Sequence, residues 1–227
     1  MKKPILVMAA FALVILCGCE NSKKDNVTLS FAAENVDTAL GKMSAPDAVL
    51  IDTAKILITR IKLSGSGDSD SNEVEVGPVV VYLDLDGNVN TIAAANIPQG
   101  TYDRIKFEIH KPGQNESLPD GEFRTGPGGN ERYSIIVKGT YNSTPFVYRS
   151  TNTMNQSINI NPPLVIADSV GVANATLVVN VFPWFKNGIN DLDPSDTSAP
   201  NVSMIENNIR ASFRAFRDRN RDGDDGN

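Results

Sequence analysis

The sequence has very little histidine and cysteine, and this scarcity argues against several classes of enzyme and metal protein. One histidine occurs in 227 residues, so a Ser-His-Asp triad and a histidine-rich metal site are nearly excluded by count. The only cysteines are Cys17 and Cys19, too few for a disulfide framework. P-loop, GxSxG, HExxH and CxxC motifs are also lacking. The composition favours a protein that binds or scaffolds over one that catalyses.

Basic residues are also in the minority. Lys and Arg total 21 against 27 Asp and Glu, which gives a net charge of −6 and an isoelectric point near 4.8. Nucleic-acid-binding domains carry a basic patch and a high isoelectric point. The charge balance therefore argues against a nucleic-acid partner.

The N-terminus predicts a secretion signal. Residues 1–3 are short and basic, and residues 4–16 are apolar but too few to cross a bilayer as a helix. The following Leu-Cys-Gly-Cys, residues 16–19, resembles the lipobox of bacterial lipoproteins. We therefore expect a signal peptide at 1–18, lipidation of Cys19 and a polar tether at 19–26. The alternative is an ordinary cleaved signal with two incidental cysteines.

A lipidated Cys19 would anchor the chain in a membrane of the cell envelope. Diacylglycerol on the thiol and a further acyl chain on the amine hold a protein stably, whereas one chain does not. Glu20 stands where an Asp would retain a lipoprotein in the inner membrane, so the outer membrane is favoured. Cys17 leaves with the signal peptide, and a packed core must then hold the fold without disulfides.

Residues 27–186 read as short strands separated by polar turns. β-branched and aromatic runs recur without an intervening helical pattern, Asp86-Gly87 predicts a hairpin turn, and residues 111–130 predict a long surface loop. We expect an all-β fold, an antiparallel β-sandwich of Greek-key or transthyretin/immunoglobulin-like type.

The C-terminal part, residues 187–227, reads as an Asp-rich linker, a helix and an acidic tail. Asn201 is a plausible N-cap, and the apolar spacing predicts one amphipathic helix from there to about Arg217. Its apolar stripe would be Val202, Ile205, Ile209, Phe213 and Phe216. We expect this stripe to dock on the sandwich, and a partner-binding helix is the alternative.

The tail contains a calcium-loop pattern. Asp218, Asn220, Asp222 and Gly223 match the start of a D-x-N-x-D-G loop, in which alternating oxygen ligands wrap around one ion. The bidentate Glu of the twelfth position would fall beyond residue 227. A half-loop could instead use nearby carboxylates. The candidate ligands are Asp218, Asn220, Asp222, Asp224 and Asp225, with help from Asp191, Asp193 or Asp196. The alternative is a solvated acidic tail.

One block of the sequence is similar to a known family. Residues 90–107, with Ile97-Pro98-Gln99-Gly100-Thr101-Tyr102, resemble the IPAGTY block of bacterial lipoproteins that carry the domain of unknown function 4382, with Gln99 in place of the usual Ala. The likeness covers roughly residues 27–150. It implies a secreted, lipid-anchored β-sandwich and carries over no catalytic residue. A link to carbohydrate-binding sandwiches is an analogy of fold only.

Other candidate residues are weaker. Asp103 and Glu108 would point to opposite faces of a regular strand, so they do not form a glycosidase pair. His110 reads as a residue at a strand end. Aromatic rings can stack on sugars, but most are expected in the core. The aromatic candidates are Tyr133, Tyr141, Phe146, Tyr148 and Trp184.

Three functions follow in order of preference. The first is a non-enzymatic, lipid-anchored envelope protein that binds or scaffolds, with carbohydrate or a surface protein as its ligand. The second is a calcium-stabilised structural module that uses the tail loop. The third is a hydrolase, for which the sequence offers no motif.

Overall fold

The computed structural model describes residues 24–34, 48–65, 71–75, 77–169 and 171–224. Cys19, with its lipobox, and Asp225 lie outside the described residues. Within these ranges the chain is mostly strand, with one α-helix, α1 (Ala199–Ala211), and short 3-10 turns at Gly121–Phe123, Pro127–Gly129 and Phe182–Phe185. The strands are β1 (Val27–Glu34), β2 (Val49–Ser64), β3 (Ser71–Glu75), β4 (Val79–Leu83), β5 (Asn90–Ala95), β6 (Gly100–Ile109), β7 (Arg124–Thr125), β8 (Glu131–Arg132), β9 (Ile135–Tyr141), β10 (Thr144–Ser150), β11 (Met154–Ile166), β12 (Ala173–Asn180), β13 (Lys186–Asn187), β14 (Asn190–Asp191) and β15 (Phe213–Arg217).

Most of the strands form one mixed, curled sheet. Its order is β10-β9-β2-β6-β11-β15-β12-β1-β5, and β3 and β4 also pair with the long strand β2. The β1/β12 and β11/β15 pairs are parallel, whereas β2, β6 and β9 pair antiparallel with their neighbours. β3, which forms an edge on β2, also lies close to the edge strand β5, so the sheet curls into a half-barrel.

One continuous core fills the inside of the curl. On β1, the alternate residues Val27, Leu29 and Phe31 are at most 2 % exposed, as the two-residue period of a strand requires. Ile205 and Ile209 bring the apolar face of α1 into the same core and are fully buried. The predicted docking of this face on the β-structure is therefore confirmed. Among the described residues, no helix is long and apolar enough to cross a membrane.

The all-β prediction with one helix is confirmed, but the antiparallel sandwich is not. The described strands of the main sheet are continuous through hydrogen-bonded neighbours, so they do not divide into two facing sheets. The two parallel pairs join strands that are distant in sequence, such as β1 and β12. Turn patterns report only on neighbouring strands, so the sequence carries no local signal for these pairings.

The C-terminal helix is shorter than predicted. It has Ser198 as its N-cap and Pro200 in its first turn, and it ends at Ala211. Asn201, the predicted cap, lies inside the helix. Its side-chain amide donates to the carbonyl oxygens of Asp193 and Asp196, both at 2.9 Å. The proposed stripe is therefore helical only through Ile209.

Residues 213–217 form a strand, not the end of the helix. β15 lies between β11 and β12, where its backbone pairs antiparallel with β12. Phe213 packs in the main core against Phe31 and Phe107, whereas Phe216 packs with Val178 in a separate cluster. The spacing of these two phenylalanines also fits a helix. Strand pairing and burial on both faces override that pattern.

The predicted surface loop packs on the outer face of the sheet. Phe123 is fully buried against Leu57 and Ile136. Asp120 forms an ion pair with Lys55 at 2.7 Å. Burial raises the pKa of the Asp120 carboxyl, but hydrogen bonds, led by the one from Lys55, outweigh burial and hold its pKa below the usual value. This segment is therefore an integral second layer over part of the sheet.

The predicted hairpin at Asp86-Gly87 is a turn but not a hairpin. The Gly87 amide donates to the Asp84 carbonyl oxygen at 3.1 Å, with Gly87 at φ +82°. However, β4 pairs with β2 and β5 pairs with β1. The turn therefore carries the chain from one region of the curled sheet to another.

Candidate functional site

A groove of about 360 Å³ lies where β2, β6 and β11 run side by side. This volume falls within the range of roughly 300–1,000 Å³ that is usual for small-ligand sites. The residues that line it are Arg60, Lys62, Lys106, Phe107, Glu108, Asn155, Gln156 and Ser157. Three cationic side chains thus share the lining with a single carboxylate, in a chain whose net charge is −6. Arg60 pairs with Glu108 and Lys62 pairs with Glu73, so the groove has a small excess of positive charge.

The alternation of β6 explains the polarity of the groove. Ile105, Phe107 and Ile109 are at most 4 % exposed and belong to the main core. Lys106 and Glu108 lie between them and therefore project from the outer face. On the neighbouring strand β11, pairing places Ser157 opposite Lys106.

Arg60 occupies an unusual backbone position at the groove. The register of β2 against β6 shifts between Thr59 and Lys62, and Arg60 within this bulge has φ +55°. A positive φ is uncommon for a residue other than glycine. Bulges redirect a side chain, and such conformations are concentrated at functional sites. Here the bulge brings the Arg60 guanidinium to Glu108.

Glu108 is a buried carboxylate with two charged or polar partners. It is 5 % exposed, Arg60 Nη2 forms an ion pair with its Oε2, and His110 Nδ1 lies 2.9 Å from its Oε1. A buried carboxylate is costly without such partners. The Arg60 side chain is itself 58 % exposed. Glu108 therefore fixes one end of Arg60 while the rest of the side chain faces solvent.

His110 continues this network to the loop that covers the sheet. Its Nε2 lies 2.8 and 3.0 Å from the two carboxylate oxygens of Glu116. Burial raises the pKa of Glu116, but hydrogen bonds from His110 and the Gly113 amide outweigh it and lower the pKa below its usual value. His110, predicted as a residue at a strand end, thus connects two carboxylates.

The aromatic candidates for sugar stacking are mostly inside the protein. Phe146, Tyr148 and Trp184 are 6 %, 5 % and 0 % exposed, while Tyr133 and Tyr141 are partly buried. Phe146 and Tyr148 both pack edge-on against Phe185. These three buried rings cannot stack on a ligand from solution.

The tail loop closes around the Asp218 carboxylate. Asp218 is 1 % exposed, and its oxygens accept hydrogen bonds from Thr176 Oγ1 at 2.8 Å, from the Arg221 amide at 2.6 Å and from the Gly223 amide at 3.0 Å. Asn220 donates to Asp222 at 2.6 Å. The loop follows β15, because residues 213–217, predicted as the end of the helix, form a strand.

The arrangement of the tail bears on the calcium prediction. Calcium requires six to eight oxygen ligands around one point. Among the described residues, no group of three His, Cys, Asp or Glu side chains is placed to share a metal ion. The helper residues have other partners: Asp191 pairs with Lys186 at 2.6 Å, and Asp193 and Asp196 accept hydrogen bonds from the Ser195 and Ser198 amides, both at 2.8 Å. As they stand, the described groups do not form a calcium cage. Binding through Asp218, Asn220, Asp222, Asp224 and Asp225 stays a prediction.

Comparison with known proteins adds no assignment. No family model, curated protein or solved structure matches the chain. The similarity to the domain of unknown function 4382 therefore stays a prediction, and the geometry of the groove carries the functional argument.

Sequence reasoning missed the groove although a signal was present. Arg60 and Lys62 alternate with the core residues of β2, and Lys106 and Glu108 alternate with the core residues of β6, which His110 follows directly. Two strands with charges at every second position predict two charged outer faces. The register that places them side by side is set by tertiary pairing and is not readable from either segment alone.

Proposed function

We propose that the chain is a lipid-anchored, non-enzymatic binding protein of the bacterial cell envelope, and that the groove holds an acidic carbohydrate. The observation that carries this proposal is Arg60, held at positive φ over the buried Glu108 at the edge of a locally positive groove. A bulge and a buried ion pair that fix an exposed guanidinium are typical of a preorganised binding group.

The lining supplies the chemistry that an acidic sugar needs. Arg60, Lys62 and Lys106 can pair with carboxylates, and guanidinium groups do so with two parallel hydrogen bonds. Asn155 and Ser157 are exposed on β11 and can donate to and accept from sugar hydroxyls. The negative charge of the whole chain disfavours non-specific binding of polyanions elsewhere on the surface.

A binding role fits the network better than hydrolysis does. A glycosidase needs one carboxylic acid and one carboxylate on either side of the scissile bond. Glu108 is instead fixed between Arg60 and His110, and Glu116 accepts from His110 and from the Gly113 amide. We assign both carboxylates to holding the groove in shape.

Binding to oligogalacturonate, compared with neutral malto-oligosaccharide of equal length, tests the groove. We expect calorimetry to detect only the acidic ligand, with affinity that falls as salt rises. The double variant Lys62→Gln, Lys106→Gln should weaken binding about tenfold for each lysine, because a charge-assisted hydrogen bond contributes on the order of 1.5 kcal/mol. Lys138→Gln, which removes a charge on β9 that pairs with Glu122, is the matched control.

Equal binding of both sugars, or equal losses in the groove variant and the Lys138 control, would contradict the carbohydrate proposal.

The lipid anchor has an independent test. Cells that express the full chain are labelled with an alkyne analogue of palmitate, and the protein is partitioned between detergent and water. We expect Cys19→Ala to lose the label and the detergent partition completely, since the acylated thiol is gone. Cys17→Ala keeps a small residue in the lipobox and should retain both. Labelling that survives Cys19→Ala would show that the lipid is attached elsewhere, and a wild-type chain that takes up no label would show that the anchor is absent.

A further inference from the structure

The chain enters the sheet at a fixed point. The side chain of Asn26 exchanges two hydrogen bonds with the backbone of Ile97, at 2.8 and 3.0 Å, and the Ala173 amide donates to the Asn26 carbonyl oxygen at 2.9 Å. Asn96 also donates to the Lys24 carbonyl oxygen at 2.7 Å. The entry point is therefore held at the start of β1, beside the start of β12 and the end of β5.

A second cavity, of about 410 Å³, opens at this same end of the sheet. Its lining residues are Val165, Val172, Ala173, Asn174, Arg217 and Arg219. Ala173 both lines the cavity and bonds to Asn26. The cavity therefore adjoins the point at which the chain enters the fold. We call it the entry cleft.

Two prolines explain why the sheet opens here. β11 pairs with β15 at a single position, Ile160 with Ala215. Pro162 and Pro163 follow in β11, and a proline has no amide hydrogen to donate to a neighbouring strand. The second half of β11, which includes Val165, continues along β6 without pairing with β15. The gap between these strands is the entry cleft.

The entry cleft combines exposed apolar side chains with unpaired cations. Val165 and Val172 are 37 % and 39 % exposed. Arg217 Nε is buried and has no hydrogen-bond partner among the described residues. Neither Arg217 nor the exposed Arg219 forms an ion pair within the part of the chain that the structure describes. The lining contains these two arginines and no Asp or Glu, so the cleft is suited to an anionic group.

We propose that the entry cleft docks on the membrane surface and receives the phosphate group of an anionic phospholipid. The inference rests on the proposed lipidation of Cys19, which would put the bilayer close by. Five residue spacings separate Cys19 from Lys24, a reach of at most about 18 Å. Arg217 and Arg219 bind the phosphate, and Val165 and Val172 enter the interfacial region.

Docking in this way would orient the binding groove. Asn155 lines the groove and Val165 lines the entry cleft, and both belong to β11. The ten residue spacings of strand from Asn155 to Val165 correspond to about 30 Å. The protein bound to a membrane through the entry cleft would therefore hold the acidic-sugar groove away from the lipid headgroups, open to polymers of the envelope.

Co-sedimentation with vesicles tests the proposal. The chain beginning at Glu20 retains every described residue and carries no lipid, so binding reports on the protein surface alone. We expect binding to phosphatidylcholine vesicles that contain 30 % phosphatidylglycerol and little binding to pure phosphatidylcholine. Arg219→Gln should lower the partition coefficient about fivefold, and the double variant with Arg217→Gln about 25-fold, as expected for basic residues at an anionic surface.

Arg149→Gln is the matched control, since it removes an exposed arginine from β10, away from the entry cleft. Circular dichroism and melting temperature verify that each variant is folded. Arg219→Gln that binds like Arg149→Gln would overturn the proposal, as would equal binding to both kinds of vesicle. Displacement from vesicles by 10 mM inorganic phosphate at constant ionic strength would overturn it too, because the cleft would then be a site for free phosphate. Absence of palmitate labelling in the wild-type chain would disprove the anchor but leave these results unchanged.

Discussion

Replacing Gly139 with alanine is expected to destabilise the fold by at least about 3 kcal/mol, the upper end of the usual cost of overfilling a packed site. Gly139 lies in β9 between β2 and β10, and a Cβ there would overlap the carbonyl oxygen of Leu50. The neighbour is backbone, so no side-chain rotation relieves the overlap. β2 and β9 must then separate or shift register at Ile51, where their pairing is already irregular.

Urea unfolding followed by the fluorescence of Trp184 measures this effect. The unfolding midpoint should fall while the dependence on urea stays the same, since the surface exposed on unfolding is unchanged. Gly121→Ala is the control: its Cβ would meet no atom within 4 Å and its φ is not positive. We expect a change within about 0.5 kcal/mol there. Equal midpoints for the two variants would contradict the close approach of β2 and β9.

The sequence was sufficient for the strands and for the position of a helix, because both depend on local periodicity. Core residues and polar residues alternate along most of β6, as the sequence predicts. Ile205 and Ile209 face the core, as the apolar stripe of the helix predicts. The same periodicity led to a wrong prediction at Phe213 and Phe216. Residues three positions apart can share one face of a helix, but in a strand they lie on opposite faces. The segment forms a strand because it pairs in the sheet between β11 and β12, and this pairing cannot be read from local sequence.

The candidate site was less predictable than the strands for the same reason. Arg60, Glu108 and Asn155 come from three strands and meet through a bulge and two registers. The entry cleft likewise depends on the place where β11 leaves β15. The tail pattern at Asp218 was conspicuous as a motif, yet its first carboxylate accepts hydrogen bonds from Thr176 and from the loop backbone. The sequence can identify these residues as candidates, but the tertiary pairing of the strands determines which groups they contact.

Replacing Glu108 with glutamine is expected to weaken both the fold and the groove. The substitution keeps the shape of the side chain but turns a carboxylate oxygen that faces Arg60 or His110 into an amide donor. The loss of charge-assisted bonds at a site that is 5 % exposed should cost about 1–3 kcal/mol of unfolding free energy. Glu73→Gln, on an exposed side chain that pairs with Lys62 at 2.9 Å, should cost less than about 1 kcal/mol.

The effect on ligand binding separates preorganisation from mere stability. If Glu108 holds Arg60 for an acidic sugar, Glu108→Gln should weaken oligogalacturonate binding about tenfold under conditions in which both proteins are fully folded. Arg60→Gly accepts the positive φ without strain yet removes the guanidinium, so it should lose affinity. It also leaves the buried Glu108 without its ion-pair partner, so we expect it to lose at least as much stability as Glu108→Gln, and its affinity is compared where it is fully folded. In the double variant the two losses of affinity should not add, because each removes the same arranged guanidinium. Two results would contradict this role: losses of affinity that add fully in the double variant, or an unchanged affinity in Glu108→Gln. Either would show that Glu108 stabilises the fold only and that the bulge positions Arg60 without the Glu108 carboxylate.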